Sequence, residues 1–161
     1  MDINKPSKKP STIFLVFSWA LVVGWACFIF FMSSNTDTGL DKDLGMLSAV
    51  FQNLKEIQLQ VFGPDVDLVS SIGHFCEYLV LGMLLANAFH YHVPLGRACL
   101  VALACASAYG VTDEFHQLFV PGRMCDPMDW LVDTVGAGLG SGLAYLVIKV
   151  RRCTFRKEET A

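Results

Sequence analysis

Charge is scarce in this sequence and unevenly spread. Asp, Glu, Lys and Arg make up 17% of its 161 residues, against 53% hydrophobic residues. The mean hydropathy, +0.47, lies above that of an ordinary soluble domain. No basic stripe with interleaved aromatics occurs, which argues against nucleic acid as a partner. The six cysteines (Cys27, Cys76, Cys99, Cys105, Cys125, Cys153) contain no CxxC pair and no metal-ligand spacing. They read as small apolar residues of membrane helices, with Cys125 alone in a polar loop. Nucleophile-elbow, P-loop, HExxH and calcium-loop motifs are missing as well, so neither a metal nor a cofactor is assigned. No internal repeat or low-complexity tract appears.

Uninterrupted apolar sequence is what the chain has instead. Residues 13–32, "IFLVFSWALVVGWACFIFFM", form a run of 20 behind Lys5, Lys8 and Lys9. A secretory signal peptide is the competing reading. The run exceeds a usual signal core and lacks a small-residue cleavage site, so a retained first span is expected. Further spans are expected near Leu68–Phe89, Leu95–Phe119 and Met128–Val150, each close to the roughly 20 residues a bilayer requires. Pro94 and Gly96 break the chain between the second and third; Pro121-Gly122 and Pro127 do so between the third and fourth.

Between the first two spans, Leu40, Leu44, Leu47, Phe51, Leu54, Ile57 and Val61 recur at steps of three or four. That spacing predicts an amphipathic helix, ended by Gly63-Pro64. It would lie in the membrane interface or pack over the bundle; its sequence does not decide which. The fold class expected is thus all-α: a compact bundle of four transmembrane helices plus an external amphipathic helix between helices 1 and 2. Residues 1–12 read as a cytoplasmic tail, 13–150 as the transmembrane domain and 151–161 as a basic cytoplasmic tail.

The orientation follows from the positive-inside rule. Nine of the 12 Lys and Arg residues fall at the termini or in the second loop, whereas Lys42, Lys55 and Arg123 fall on the other side. Both termini are therefore expected in the cytoplasm of a bacterial cell, in a multi-pass protein of its cytoplasmic membrane.

Within this apolar chain, "YGVTDEFHQLFVPGRMCDPMDWLVD" (109–133) carries five carboxylates beside Arg123, His116 and Gln117. An ionised Asp at the membrane centre costs roughly 2.5–3.5 kcal/mol, so these groups must be shallow, paired, hydrated or protonated. The topology brings "HFCEY" (His74–Tyr78), "DEFHQ" (Asp113–Gln117) and "DPMDWLVD" (Asp126–Asp133) to one depth near the external face. His74, Glu77 and Tyr78 share a helical face at i, i+3, i+4. Asp113 and Gln117 are four apart, with Glu114 beside them. Asp126, Asp129 and Asp133, at i, i+3, i+7, share a face continued by Gly136 and Gly140. The overlapping small-residue pattern of "GAGLGSG" would let a neighbouring backbone approach closely. Arg123 is the nearby fixed cation, able to pair with two acids. His74, Glu77, Tyr78, Asp113, Glu114, Gln117, Arg123, Asp126, Asp129 and Asp133 are thus the candidate binding residues. His74, Glu114 and Asp113 are the candidates for acid–base chemistry. His116 points away from that face, His90 and His92 read as solvated loop residues, and Trp130 as an interfacial anchor.

"FMSSN", "HFCEYLVLG" and "DEFHQLFVPGRMCDPMDWLVDTVGAGLG" together resemble the VanZ-like family of small bacterial integral membrane proteins, named after a teicoplanin-resistance protein. The family pattern H-F-x-x-Y-x-x-L-G is met by His74, Phe75, Tyr78, Leu81 and Gly82. D-E-x-x-Q-x-x-x-P-x-R is met by Asp113, Glu114, Gln117, Pro121 and Arg123, and D-x-x-x-(D/N)-x-x-G by Asp129, Asp133 and Gly136. Two positions depart: Ser71 stands where a lysine is frequent, and Asn35 replaces a glutamine. The resemblance implies a membrane protein of the cell envelope, with glycopeptide resistance as one association of the family. Three functions are open. One is recognition of a membrane lipid or lipid-linked wall precursor. Another is a membrane-embedded hydrolase or transferase acting on a lipid headgroup. The last is a structural role.

Overall fold

In the computed structural model, the residues described are 10–34, 46–63, 68–121, 123 and 125–158. Five helices account for almost all of them: α1 (Thr12–Ser34), α2 (Met46–Phe62), α3 (Leu68–Phe89), α4 (Leu95–Gln117) and α5 (Pro127–Glu158). Four of these, α1, α3, α4 and Pro127–Thr154 of α5, are long and apolar enough to cross a membrane. Leu40, Leu44, Asn35, Pro64 and Gly122 lie outside the described residues.

Helices form here because a chain in hydrocarbon must satisfy every backbone N–H and C=O within itself. Polar side chains in α1 obey the same rule: Ser18 Oγ donates to Phe14 O (3.0 Å) and Ser34 Oγ to Phe30 O (2.6 Å). Only Ser18, Val22, Ile29 and Ser33 of α1 are buried, one stripe along the helix. Trp19 and Trp25 are partly buried against the core, and most of its other aromatic and aliphatic side chains face outward. Directed bonds to α3 and α4 fasten it. Trp25 Nε1 donates to Glu77 O of α3 (2.9 Å), and Tyr109 Oη of α4 donates to Ala26 O (2.7 Å).

Among the described residues, the tightest contact joins α3 to α5. A methyl group at Gly82 would overlap the backbone of Ala137, and one at Gly140 would overlap Leu79 O. At Gly136 it would stand 2.6 Å from Phe75 O. Backbone therefore packs on backbone, the device expected where lipid removes the hydrophobic drive for association. Only one of the two overlapping small-residue patterns is used this way. Gly138 faces Leu103 of α4 at 3.7 Å, and Gly142 has open space. On α4 the buried stripe runs Leu95, Ala98, Ala102, Ala106, Gly110, Asp113, Gln117. It is small and apolar over most of its length, and polar only at its C-terminal end.

The structure differs from the sequence expectation at two places and settles which side of α2 meets the bundle. The third span stops at Gln117, where the chain turns through Phe119 N–H to His116 O and Val120 N–H to Gln117 O. The last helix runs on beyond Val150 to Glu158, because "RRCTFRKE" contains no breaker. Amphipathic α2 presents Val50, Leu54, Ile57 and Val61 outward and touches the bundle with its polar side, where buried Gln58 Oε1 accepts Val69 N–H at 2.8 Å. Gly63, at φ +80°, closes α2 with its N–H on Leu59 O (3.2 Å), the left-handed conformation that glycine alone adopts freely.

Candidate functional site

The polar end of the bundle is built by the first half of α3, the last turn and a half of α4 and the first two turns of α5. His74 Nδ1 and Asp133 Oδ1 stand 3.2 Å apart, joining α3 to α5. From α4, Asp113 and Glu114 complete the group: one ligand atom each from His74, Asp113 and Glu114 lie within 4.8 Å of one another. All four residues are enclosed, with exposures of 7% for His74, 3% for Asp113, 4% for Glu114 and 0% for Asp133.

Adjacent residues on a helix point about 100° apart, so Asp113 and Glu114 reach the same place from different sides. Glu114 is held by its Oε2, which accepts Asp126 N–H at 2.8 Å; Oε1 has no partner. Ser33 of α1 and Gln117 flank the Asp113 carboxylate, yet neither oxygen closes a hydrogen bond of good geometry. Gly110 gives the cluster its room. A methyl group there would meet Asp133 Oδ2 at 3.4 Å, the Tyr78 ring at 3.5 Å and Trp130 at 3.2 Å. Tyr78 is fully buried, and its hydroxyl, Asp133 Oδ2 and Gln117 Nε2 lack partners.

The other sequence-derived residues sit around this core in graded fashion. Glu77 is half-buried, within electrostatic range of His74, Asp113, Asp133 and Arg123. Asp129, at the rim, accepts Ser71 Oγ at 3.4 Å, so the position where the family often carries lysine supplies a neutral donor. Arg123 is half-buried and its Nη1 donates to Ser70 Oγ at 3.5 Å. Asp126 is exposed; its Oδ1 accepts Met128 N–H (2.8 Å) and its carbonyl accepts Asp129 N–H (3.0 Å), which makes it the N-cap of α5. The His116 ring lies tilted against Phe30, ring centres 4.3 Å apart.

Sequence reasoning missed Ser33, Ser70 and Gly110, because small residues carry no chemistry that spacing can flag, and it noted Ser71 only as a departure from the family pattern. It also misread the opposite end of the bundle. His90 is buried, hydrogen-bonded through Nδ1 to Asn87 O, and burial holds its pKa below the ordinary histidine value against that bond. The exposed His92 accepts Trp19 Nε1–H at 3.3 Å. Neither is simply solvated: a helix C-terminus and a tryptophan N–H both need partners. Trp130, read as an interfacial anchor, donates its N–H to Ser107 O of α4 (3.2 Å).

A multi-pass helical membrane protein with an enclosed cluster of acids and imidazole near one end of its bundle is the class this architecture defines. The sequence profile of the VanZ/LLP1 family matches residues 17–148, and the chain belongs to that family. Comparison with curated proteins and with solved structures returns no match.

Proposed function

We propose that this protein binds or modulates an anionic, lipid-linked component of the bacterial cell envelope at its polar end. The supporting observation is the meeting of His74, Asp113 and Glu114 within 4.8 Å, with Asp133 behind the imidazole and Arg123 near the rim. Buried ionisable groups in a membrane bundle are costly to keep and mark a functional site by default. In this reading Arg123, His74 and Tyr78 meet phosphate or sugar, and the carboxylates orient them or take an amine.

The positive-inside distribution supports cytoplasmic termini, with residues 1–12 and 151–161 flanking a membrane domain of 13–150. The acidic end then opens to the extracytoplasmic side of the inner membrane, where wall precursors are displayed. A link to teicoplanin susceptibility is one phenotype this reading allows.

A second reading, a hydrolase or transferase acting on a lipid headgroup, is favoured by the His74–Asp133 pair. A buried carboxylate on one imidazole nitrogen orients the ring for proton transfer at the other. Glu114 or Asp113 would share the acid–base work, and Arg123 would stabilise developing negative charge.

Asp113→Asn, Glu114→Gln and Arg123→Lys, in protein reconstituted in nanodiscs of envelope lipid, separate the readings. Loss of co-purified or added lipid-linked precursor in all three supports recognition. Retained binding with lost turnover supports the enzyme. Unchanged binding, turnover and cell phenotype in all three leaves a structural role and overturns both.

A further inference from the structure

The buried cluster contains more acceptor and donor atoms than the protein satisfies. Neither oxygen of Asp113 closes a hydrogen bond of good geometry, although Ser33 and Gln117 lie beside it; Oε1 of Glu114 has no partner, and Asp113 is only 3% exposed. A second observation lies beside them: Glu114 is itself only 4% exposed, so its unpartnered Oε1 is enclosed with the Asp113 carboxylate. Leaving a buried polar atom unsatisfied costs about 1–3 kcal/mol, and several in one place call for a common ligand.

The donor types define that ligand. Two carboxylate oxygens and one imidazole nitrogen, each from a different residue and within 4.8 Å of one another, can close on a single ion with small side-chain rotations. Typical ligand distances to zinc are about 2.0–2.2 Å. Calcium and magnesium take oxygen ligands, whereas imidazole suits first-row transition ions. Two ligand carboxylates match the charge of one divalent cation. Asp133 supplies what a metal-bound histidine ordinarily has, a carboxylate on its other nitrogen: Nδ1–H donating to Asp133 Oδ1 (3.2 Å) leaves the Nε2 lone pair for the ion.

We propose that His74, Asp113 and Glu114 bind one divalent transition-metal cation, with Asp133 as the positioning carboxylate behind the imidazole. Three protein ligands leave a coordination position for water or an anionic oxygen. Ion binding goes beyond the reading of the site given above and does not depend on it: the cation can bind whether or not an envelope lipid does. The absence of any metal motif in the sequence follows from the ligands' origin, one from α3 and two from α4.

Mn2+ is the diagnostic probe, because the chain's six free thiols would compete for zinc. Full-length protein in detergent, stripped with chelator, is expected to bind one Mn2+ per chain, with 14N hyperfine coupling from one imidazole in its paramagnetic resonance spectrum. His74→Gln removes the nitrogen coupling. Asp113→Asn and Glu114→Gln each lower the affinity more than tenfold. Asp133→Asn weakens it by about 10–100-fold, the effect of losing an outer-shell partner. Glu56→Gln, on exposed α2, changes nothing. Absence of stoichiometric binding by the wild-type chain, or a bound ion without nitrogen coupling, overturns the proposal. So does an affinity unchanged in both carboxylate variants with helical circular dichroism intact. Should the carboxylate variants not fold, the wild-type stoichiometry and nitrogen coupling decide alone.

Discussion

Asp126, Asp129 and Asp133 share a helical face by spacing, yet each does something different. Asp126 caps α5 from an exposed position, Asp129 takes a serine hydroxyl at the rim, and Asp133 lies buried against His74. Depth along the bundle separates them. Spacing in the sequence reveals the shared face; depth depends on where α5 begins, which the residues before Pro127 set. Asp126→Ala is therefore expected to cost about 1 kcal/mol, the usual loss of an N-cap, seen as lower thermal stability in detergent. The opposite end offers a pH test. His90 is buried and its pKa is lowered, so below the ordinary histidine value near 6.5 the unfolded chain binds the proton that the folded chain resists. Stability is then full above that pH and falls as the pH drops through it. His90→Asn is expected to flatten the thermal-stability profile between about pH 5 and 7; an unchanged slope would remove His90 as its cause.

At the scale of the helices, the four apolar runs and the amphipathic period of α2 were legible because hydrocarbon admits few alternatives to a helix. Which glycines matter was not, since "GAGLGSG" offers two equivalent stripes and only the partner helix selects one. Gly136 and Gly140 meet α3, whereas Gly142 meets nothing within 4 Å. Gly140→Ala should force α3 and α5 apart and destabilise by about 1–3 kcal/mol or more. Gly142→Ala should be neutral or stabilising by up to about 1 kcal/mol, through helix propensity alone. Thermal unfolding of the two variants side by side measures the contrast. Equal effects would mean that the α3–α5 contact is not made through this stripe. The face of α2 was equally out of reach: its period fixes an apolar stripe, but which side the bundle takes depends on Gln58 finding Val69 N–H.

On the scale of the whole molecule, the sequence revealed that three segments would share a depth, because topology alone dictates it once the spans are counted. It did not reveal that Asp113, Glu114, His74 and Asp133 form the inner group while Asp126 and Arg123 stay nearer the periphery. Orientation in the membrane has its own test. Cys125, exposed in the loop after α4, and Cys153, near the far end of α5, are expected on opposite sides. An impermeant thiol reagent added to intact cells of Cys125-only and Cys153-only variants should label the first and spare the second; the reverse pattern would invert the protein.

Double-mutant cycles pairing His74→Ala with Asp133→Ala, and His74→Ala with Asp113→Ala, ask most directly whether three helices build one site. Read from thermal unfolding of the purified protein, both pairs are expected to couple by about 0.5–3 kcal/mol, the range for residues in one network. Additivity in both cycles, within about 0.3–0.5 kcal/mol, would contradict a shared site.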